Sequence, residues 1–390
     1  MSAVAQSTKT SLRTIVTSAG LRYAGVAALS AVALALAFPK FDQAWLAPLG
    51  AAGLFWLWER LSWKRAFAAG WFSGFIFFAI SFSWITHALG ADLGLIAPLI
   101  VVIVAAILAL YVGLAGAFAQ LAYARAHPAV APLASAASFT IFEWLRSIGP
   151  LGVPFEILGY TQVETPLRVY APYIGAFGVT FVVCVIGAYI AQALVTKGNR
   201  ALLYALAVFA ASWFACWLAW PARHAAPGDM RVAAIQGNIP QSLKWGGVKA
   251  LDRAMGRYGG YTQKAASFHP EFVAWPETAA TVQLNYDAQN GPRIMTGLQN
   301  LARSLHTTLA VGSLDVHNLR EFNAVYVFGP NGYLKQIYDK RQLVPFAEVF
   351  PGRSYLGWLP GTSLISDFGI GHDDAVIQTT HYSFAPVICW

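Results

Sequence analysis

Residues 93–123 read LGLIAPLIVVIVAAILALYVGLAGAFAQLAY, and none of these side chains carries a formal charge. A helix needs about 20 apolar residues to cross the hydrocarbon core of a bilayer. This stretch exceeds that length, so it predicts a transmembrane helix long enough to tilt. Working outward, further apolar segments lie at 21–38, 43–58, 66–87, 129–147, 169–195 and 201–220. The segment at 43–58 is short for a span. The segment at 21–38 could pass for a secretory leader, but the other apolar segments follow it, so it reads as an uncleaved span. The expectation is a cytoplasmic tail over 1–20 and a membrane domain of about seven helices over 21–220. Composition agrees: 57% of the 390 residues are hydrophobic and 11% are charged, less than half the charge of an ordinary soluble chain.

The net charge of +8 could suggest nucleic acid, but no basic motif with interleaved aromatic residues is present, and no nucleic-acid partner is expected. The basic residues fall instead in short loops, where they set topology. Lys9, Arg13, Arg22, Arg60, Lys64, Arg65, Arg125, Lys197 and Arg200 lie at one set of alternate ends; Lys40, Arg146 and Arg168 lie at the other. That bias puts the N-terminus in the cytoplasm. With seven spans it puts everything after residue 221 on the far side, the periplasm of a bacterium. In the loop region 141–168, Glu143 and Arg146 are spaced to pair on a helix end. They read either as an interfacial anchor pair or as a substrate-facing site at the membrane surface.

After PARHAAPGDM (221–230) the pattern changes. Short β-rich runs occur at Arg231–Gln236, Phe272–Trp275, Thr308–Val311, Ala324–Phe328, Leu334–Tyr338 and Ser383–Cys389. Polar stretches at 246–268 and 288–305 read as helices between them. Phe328-Gly-Pro-Asn-Gly-Tyr333 is a turn signal that makes 322–339 a hairpin. Strands alternating with helices predict an α/β domain over 228–390.

Several chemistries have no motif here. There is no HExxH, paired CxxC, GxxxxGK[ST] or GxSxG, and no GxGxxG follows a strand. His372-Asp373-Asp374 reads as a solvated turn rather than a metal site, and neither metal nor cofactor is expected. Cys184 and Cys216 lie in apolar stretches and read as small buried hydrophobes. Three strand ends remain, and strand ends are where an α/β sheet presents side chains to a ligand. They carry Glu277 in AWPETAA, Lys340 and Glu348 in YDKRQLVPFAEVFP, and Cys389 in PVICW. A thiol nucleophile needs a nearby base. A glutamate can take its proton and return it. A lysine ammonium can stabilise a tetrahedral oxyanion and lower the thiol pKa. Together they form an acyl-transfer set.

WPET (275–278), DKRQLVPFAE (339–348) and VICW (387–390) resemble the Glu-Lys-Cys motifs of the nitrilase, or carbon–nitrogen hydrolase, superfamily. The preceding spans, with EWLRS (143–147), LGYTQ (158–162) and IQGNIPQSLKW (235–245), resemble one branch of it, the apolipoprotein N-acyltransferases. The resemblance implies an α-β-β-α sandwich, with Glu277 as general base, Lys340 as oxyanion stabiliser and Cys389 as nucleophile. It also implies supporting roles for Glu348, for Trp245 near the substrate and for the backbone N–H of Trp390. The implied donor is a membrane phospholipid, and the implied acceptor is the diacylglyceryl-cysteine amine of an apolipoprotein. Tyr355, Leu356 and Trp358, among the Gly and Pro of 352–361, suggest a lid that dips into the interface. In that family, further sandwich and a final helix follow the nucleophile, so the resemblance implies a chain cut after Trp390. The alternatives are a membrane-tethered amidase with water as acceptor, an inactive truncated relative, and a non-catalytic transporter or scaffold. The last would place paired charges inside the spans, and few are seen there.

Overall fold

The computed structural model describes residues 20–87, 94, 96–127, 130–149, 152–218, 230–345, 347–358, 362, 366–372, 376–379 and 382–389. The chain divides into two compact units, Met1–Ala225 and Ala226–Trp390.

The first unit is helical. Its helices are α1 (Gly20–Leu36), α2 (Leu46–Arg60), α3 (Trp63–Ser81), α4 (Ile96–Tyr123), α5 (Ala131–Ser147), α6 (Ala171–Thr196) and α7 (Asn199–Leu218). Among the described residues, three runs are long and apolar enough to cross a membrane: Ile96–Tyr123, Pro166–Thr196 and Asn199–Leu218. In lipid the helices gain little from hydrophobic burial against one another, so close packing has to hold them. Small residues allow it. A Cβ on Gly70 of α3 would lie 2.6 Å from the Val112 carbonyl oxygen of α4, and one on Gly74 would lie 3.1 Å from the Ala109 Cα.

Glu143 and Arg146 on α5 are not at a surface; they are 6% and 3% exposed. The Glu143 carboxylate accepts from the Leu158 backbone N–H at 2.8 Å and from the Thr180 hydroxyl at 2.7 Å. The Arg146 guanidinium donates to the backbone carbonyls of Val153 (2.5 Å), Phe155 (2.7 Å) and Glu156 (3.2 Å). Neither an anchor pair nor a surface site describes them. They satisfy the backbone of the irregular segment 152–157 and the start of the 3-10 helix Leu158–Gln162 that follows it, as buried main chain requires.

The second unit is built on a five-stranded mixed sheet. Its strands are β1 (Val232–Ala234), β2 (Phe272–Ala274), β3 (Thr308–His317), β4 (Arg320–Phe328) and β5 (Leu334–Asp339). Their order follows the chain. β1, β2 and β3 are parallel, and β3, β4 and β5 are antiparallel. β4 and β5 form the hairpin that the Gly-Pro-Asn-Gly turn predicts. Helices α9 (Val248–Ala265) and α10 (Gly291–Leu305), which follow the short α8 (Gln241–Lys244), each bury one stripe. Leu251, Ala254, Tyr258 and Thr262 line one, and Ile294, Leu298 and Ala302 the other, at the three- and four-residue spacing of a helix face. They pack with Leu309, Val311, Tyr326 and Phe328 on one face of the sheet. The opposite face, with Ala310, Val325 and Val327, takes Ile377 and Phe384. These two belong to a small second sheet, β6 (Ile377–Gln378) and β7 (Ser383–Phe384), which follows α11 (Arg353–Leu356). The layering is helix, sheet, sheet, three of the four layers of the expected α-β-β-α sandwich.

The predicted strand over Ser383–Cys389 is ladder-paired only at Ser383–Phe384. Pro386 within that run lacks a backbone donor. β3 instead runs six residues beyond the predicted Val311, because β4 pairs with it as far as His317–Arg320.

One position governs how closely the turn after β2 meets β3. A Cβ on Gly312 would lie 2.3 Å from the Pro276 carbonyl oxygen and 2.8 Å from the Glu277 Cα. Both are backbone atoms, so they cannot rotate away. Gly312→Ala is expected to destabilise the second unit by about 1–3 kcal/mol through overpacking. Thermal unfolding of the detergent-solubilised protein would read this, and an unchanged melting temperature would refute the close approach.

Candidate active site

Glu277 sits where β2 ends. Trp275, two residues before it, is 6% exposed. Its indole N–H donates to the Thr262 hydroxyl at 2.9 Å, and its ring stacks on Tyr258 at 5.1 Å. Its backbone N–H donates to the Ala310 carbonyl at 2.8 Å. The strand end is therefore fixed to α9 and to β3 before the chain turns at Pro276. Beyond the turn, the Ser313 hydroxyl bonds the carbonyls of Ala280 and Val282 at 3.1 and 2.9 Å, which keeps 277–284 alongside β3.

Lys340 follows β5 directly. Its backbone N–H donates to the Asn323 carbonyl at 2.8 Å, and its carbonyl accepts from Gly371 at 2.9 Å. Alternation along the strands sends Asp339 toward the helix-covered face and Lys340 toward the face with Asn323 and Val325. A one-residue slip in β5 would exchange the ammonium for a carboxylate at the site.

The Lys340 side chain is 2% exposed. Its Nζ lies 3.3 Å from Glu277 Oε1, and 3.0 and 2.8 Å from the two Glu348 oxygens. Glu348, 8% exposed, also accepts from the Val344 backbone N–H at 2.9 Å. The structure thus brings Glu277, Lys340 and Glu348 together from two strand ends and the loop after β5. Sequence reading missed Asn323, on β4. Its amide donates to Glu277 Oε1 at 2.5 Å and to Glu348 Oε1 at 2.8 Å. It links two like charges that share one ammonium. It is 2% exposed, and its place just before the apolar run Ala324–Phe328 was the one sequence signal.

Burial alone would push the Lys340 ammonium toward neutrality. The Glu348 hydrogen bond, with the charges of Glu277, Glu348 and Cys389, outweighs it and raises the pKa above the ordinary lysine value. Cys389 is exposed and adopts φ +54°, the left-handed region. Trp245 is 55% exposed and lies 5.9 Å from the Lys244 ammonium. Tyr355 and Trp358 are 82% and 77% exposed. The Leu356 side chain and all of Trp390 lie outside the described residues.

Among the described residues, one group could offer metal ligands: Asp315, His317 and Asp339, whose ligand atoms lie within 4.8 Å of one another. The two imidazole nitrogens already face separate carboxylates, at 2.9 Å from Asp315 and 3.7 Å from Asp339. The Tyr326 hydroxyl also donates to Asp315. Two of these contacts, His317–Asp315 and Tyr326–Asp315, are hydrogen bonds. His372 is exposed, and Asp373 and Asp374 lie outside the described residues.

The layered sheet and its strand-end carboxylate and amine define the class. Residues 231–390 match the family model for carbon–nitrogen hydrolases. Residues 30–189 match the apolipoprotein N-acyltransferase N-terminal domain. Three proteins named apolipoprotein N-acyltransferase are similar over most of the chain. The one from Coxiella burnetii is 30% identical across 94% of this chain and 76% of its own length. Those from Methylococcus capsulatus and Azotobacter vinelandii are 31% and 33% identical, across 92% and 93% of this chain and 71% and 72% of theirs. The chain belongs to the apolipoprotein N-acyltransferase family.

Removing one partner of a buried charge group costs roughly 3–5 kcal/mol, so Lys340→Met should melt well below the parent. A lysine raised above its unfolded pKa stabilises fully below the ordinary value of about 10.4 and loses that effect as pH climbs through the higher folded value. The melting gap is therefore expected to be equal at pH 7 and pH 9, and to close only at more alkaline pH. A gap that narrows between pH 7 and 9 would mean Lys340 is not held protonated.

Proposed function

We propose that this chain transfers an acyl chain from a membrane phospholipid to the diacylglyceryl-cysteine amine of apolipoproteins, through a thioester on Cys389. The observation that carries the reading is the buried Lys340 ammonium shared by Glu277 and Glu348. The family membership supports the substrates: both are anchored in lipid, and so is the first unit of this chain.

In the first half-reaction Glu277 takes the Cys389 proton, and the thiolate attacks the ester carbonyl. The site's net charge is unchanged, because the thiol loses what the carboxylate gains. The oxyanion of the tetrahedral intermediate forms beside the Lys340 ammonium, a fixed charge that needs no rearrangement. The Trp390 N–H is proposed as a second donor. The intermediate collapses, Glu277 returns the proton to the leaving oxygen, and a lysophospholipid departs. In the second half the acceptor amine attacks the thioester, Glu277 takes its proton, and the Cys389 thiolate is expelled, leaving the amide. Glu348 and Asn323 hold Lys340 and Glu277 throughout. Trp245 lies near the acceptor path, and Tyr355, Leu356 and Trp358 form a lid at the interface. The catalytic unit is proposed to face the periplasm, on the reading of seven spans with a cytoplasmic N-terminus; the bias of basic residues to alternate loops supports it.

Cys389→Ala is expected to abolish both the hydroxylamine-sensitive acyl adduct on the protein and the acylated product, measured by intact mass in phospholipid vesicles. An adduct that survives the substitution would reject the nucleophile. Glu277→Gln should slow adduct formation by about 10²–10⁴-fold. Trp358→Asp should lower phospholipid turnover with the Cys389 thiol still reactive; unchanged turnover would remove the lid from the scheme.

A further inference from the structure

Thr278, the residue after Glu277, has φ +46°. A β-branched residue in the left-handed region is an outlier, and such a conformation persists only where its surroundings impose it. The Glu277 carboxylate departs from this turn, so whatever imposes it also aims the base.

The surroundings converge on one side chain. Lys244 lies in α8, 33 residues earlier in the chain than Glu277. Its ammonium donates to the Glu277 backbone carbonyl at 3.3 Å and to the Thr278 hydroxyl. The Lys244 carbonyl in turn accepts from the Thr281 hydroxyl at 3.4 Å. The same turn is confined from behind by Gly312, where a Cβ would come within 2.8 Å of the Thr278 nitrogen. Burial lowers the Lys244 pKa, and the Glu277 charge partly offsets that. An ammonium kept in such a place is matched to the acceptors it meets.

We propose that Lys244 is a positioning residue: it holds the Glu277–Thr278 turn in its left-handed conformation and thereby aims the Glu277 carboxylate at Lys340 and Asn323. The inference deepens the proposed function, since the base it aims is the one assigned there. It assigns Lys244 no contact with the reacting atoms. A glycine accepts positive φ without strain, so a chain with glycine at 278 should not need the lysine.

The test reads the thiol directly and requires no lipid substrate. The full chain in detergent is treated with iodoacetamide across pH 6 to 9, and alkylation of Cys389 is followed in its own peptide by mass spectrometry. Lys244→Met is expected to slow alkylation at pH 7 at least about tenfold, since the thiolate fraction depends on the base beside it, and to move the profile to higher pH. Thr278→Gly added to Lys244→Met should recover most of the lost rate. Lys244→Arg, which keeps a charged donor, should retain more of it than Lys244→Met. A Lys244→Met profile that overlays the parent would overturn the proposal. So would a double variant with no recovery, because a general loss of structure would not be repaired by a second, glycine-introducing change. Phospholipid turnover is measured on the same samples. A parent whose Cys389 alkylates rapidly and shows the Lys244 dependence, yet acylates nothing, would reject the proposed function and leave the positioning role standing.

Discussion

One ammonium shared by two carboxylates organises the second unit of this protein. Lys340 is almost completely enclosed, and an enclosed charge is tolerated only with partners in good geometry. Its partners come from the end of β2 and from the loop after β5, and the amide of β4 ties those partners to each other. Three consecutive features of the fold follow from that requirement. β2 and β3 must approach closely enough to exclude a Cβ at Gly312. β4 and β5 must pair in the one register that sends Lys340 rather than Asp339 to the site face. The 341–350 loop must fold back so that Glu348 caps the Val344 N–H while reaching the ammonium. Each of these positions a group of the candidate site and also closes the buried charge group, so stability and site geometry are one constraint.

The first unit meets the same difficulty in another medium. Its helices satisfy their own backbones, but the loop after α5 cannot. Arg146 and Glu143 supply the missing donors and acceptors from within the bundle. Close packing at Gly70 and Gly74 does the work that burial from water does in the second unit, where α9 and α10 cover one face of the sheet. The two units thus use different forces. Apolar periodicity therefore reads as long unbroken runs before residue 221 and as short strands and amphipathic helices after it.

Much of the site was legible. Glu277 and Lys340 stand just past strand ends and Glu348 in the loop after β5, and their grouping in sequence order pointed to acyl transfer. Asn323 and Lys244 were not legible in the same way. Asn323 lies inside β4, between Arg320 and Glu321 and the apolar run from Ala324, and Lys244 ends a four-residue helix that no periodicity marks. Each acts through a partner far along the chain, and a side chain's partner is set by pairing and packing that one sequence does not display. Glu143 and Arg146 were read as a surface pair because helical spacing places them near each other. Their partners lie in a loop and in the next long helix, which spacing within α5 does not reveal.

The amino-acid sequence by itself determined the helical membrane-type half, the α/β half, the β4–β5 hairpin, and the residue types of an acyl-transfer site. These depend on local quantities: run length, alternation, turn chemistry and motif. Only the tertiary structure decided the extent of β3, the loss of pairing after Phe384, the sharing of Lys340 by two carboxylates, and the strained turn at Thr278 beneath Lys244. Those depend on which backbone groups meet across the sheet and on which charges are enclosed together. Hydrogen-bond partners and desolvation are properties of the packed chain, so they appear only once it has folded.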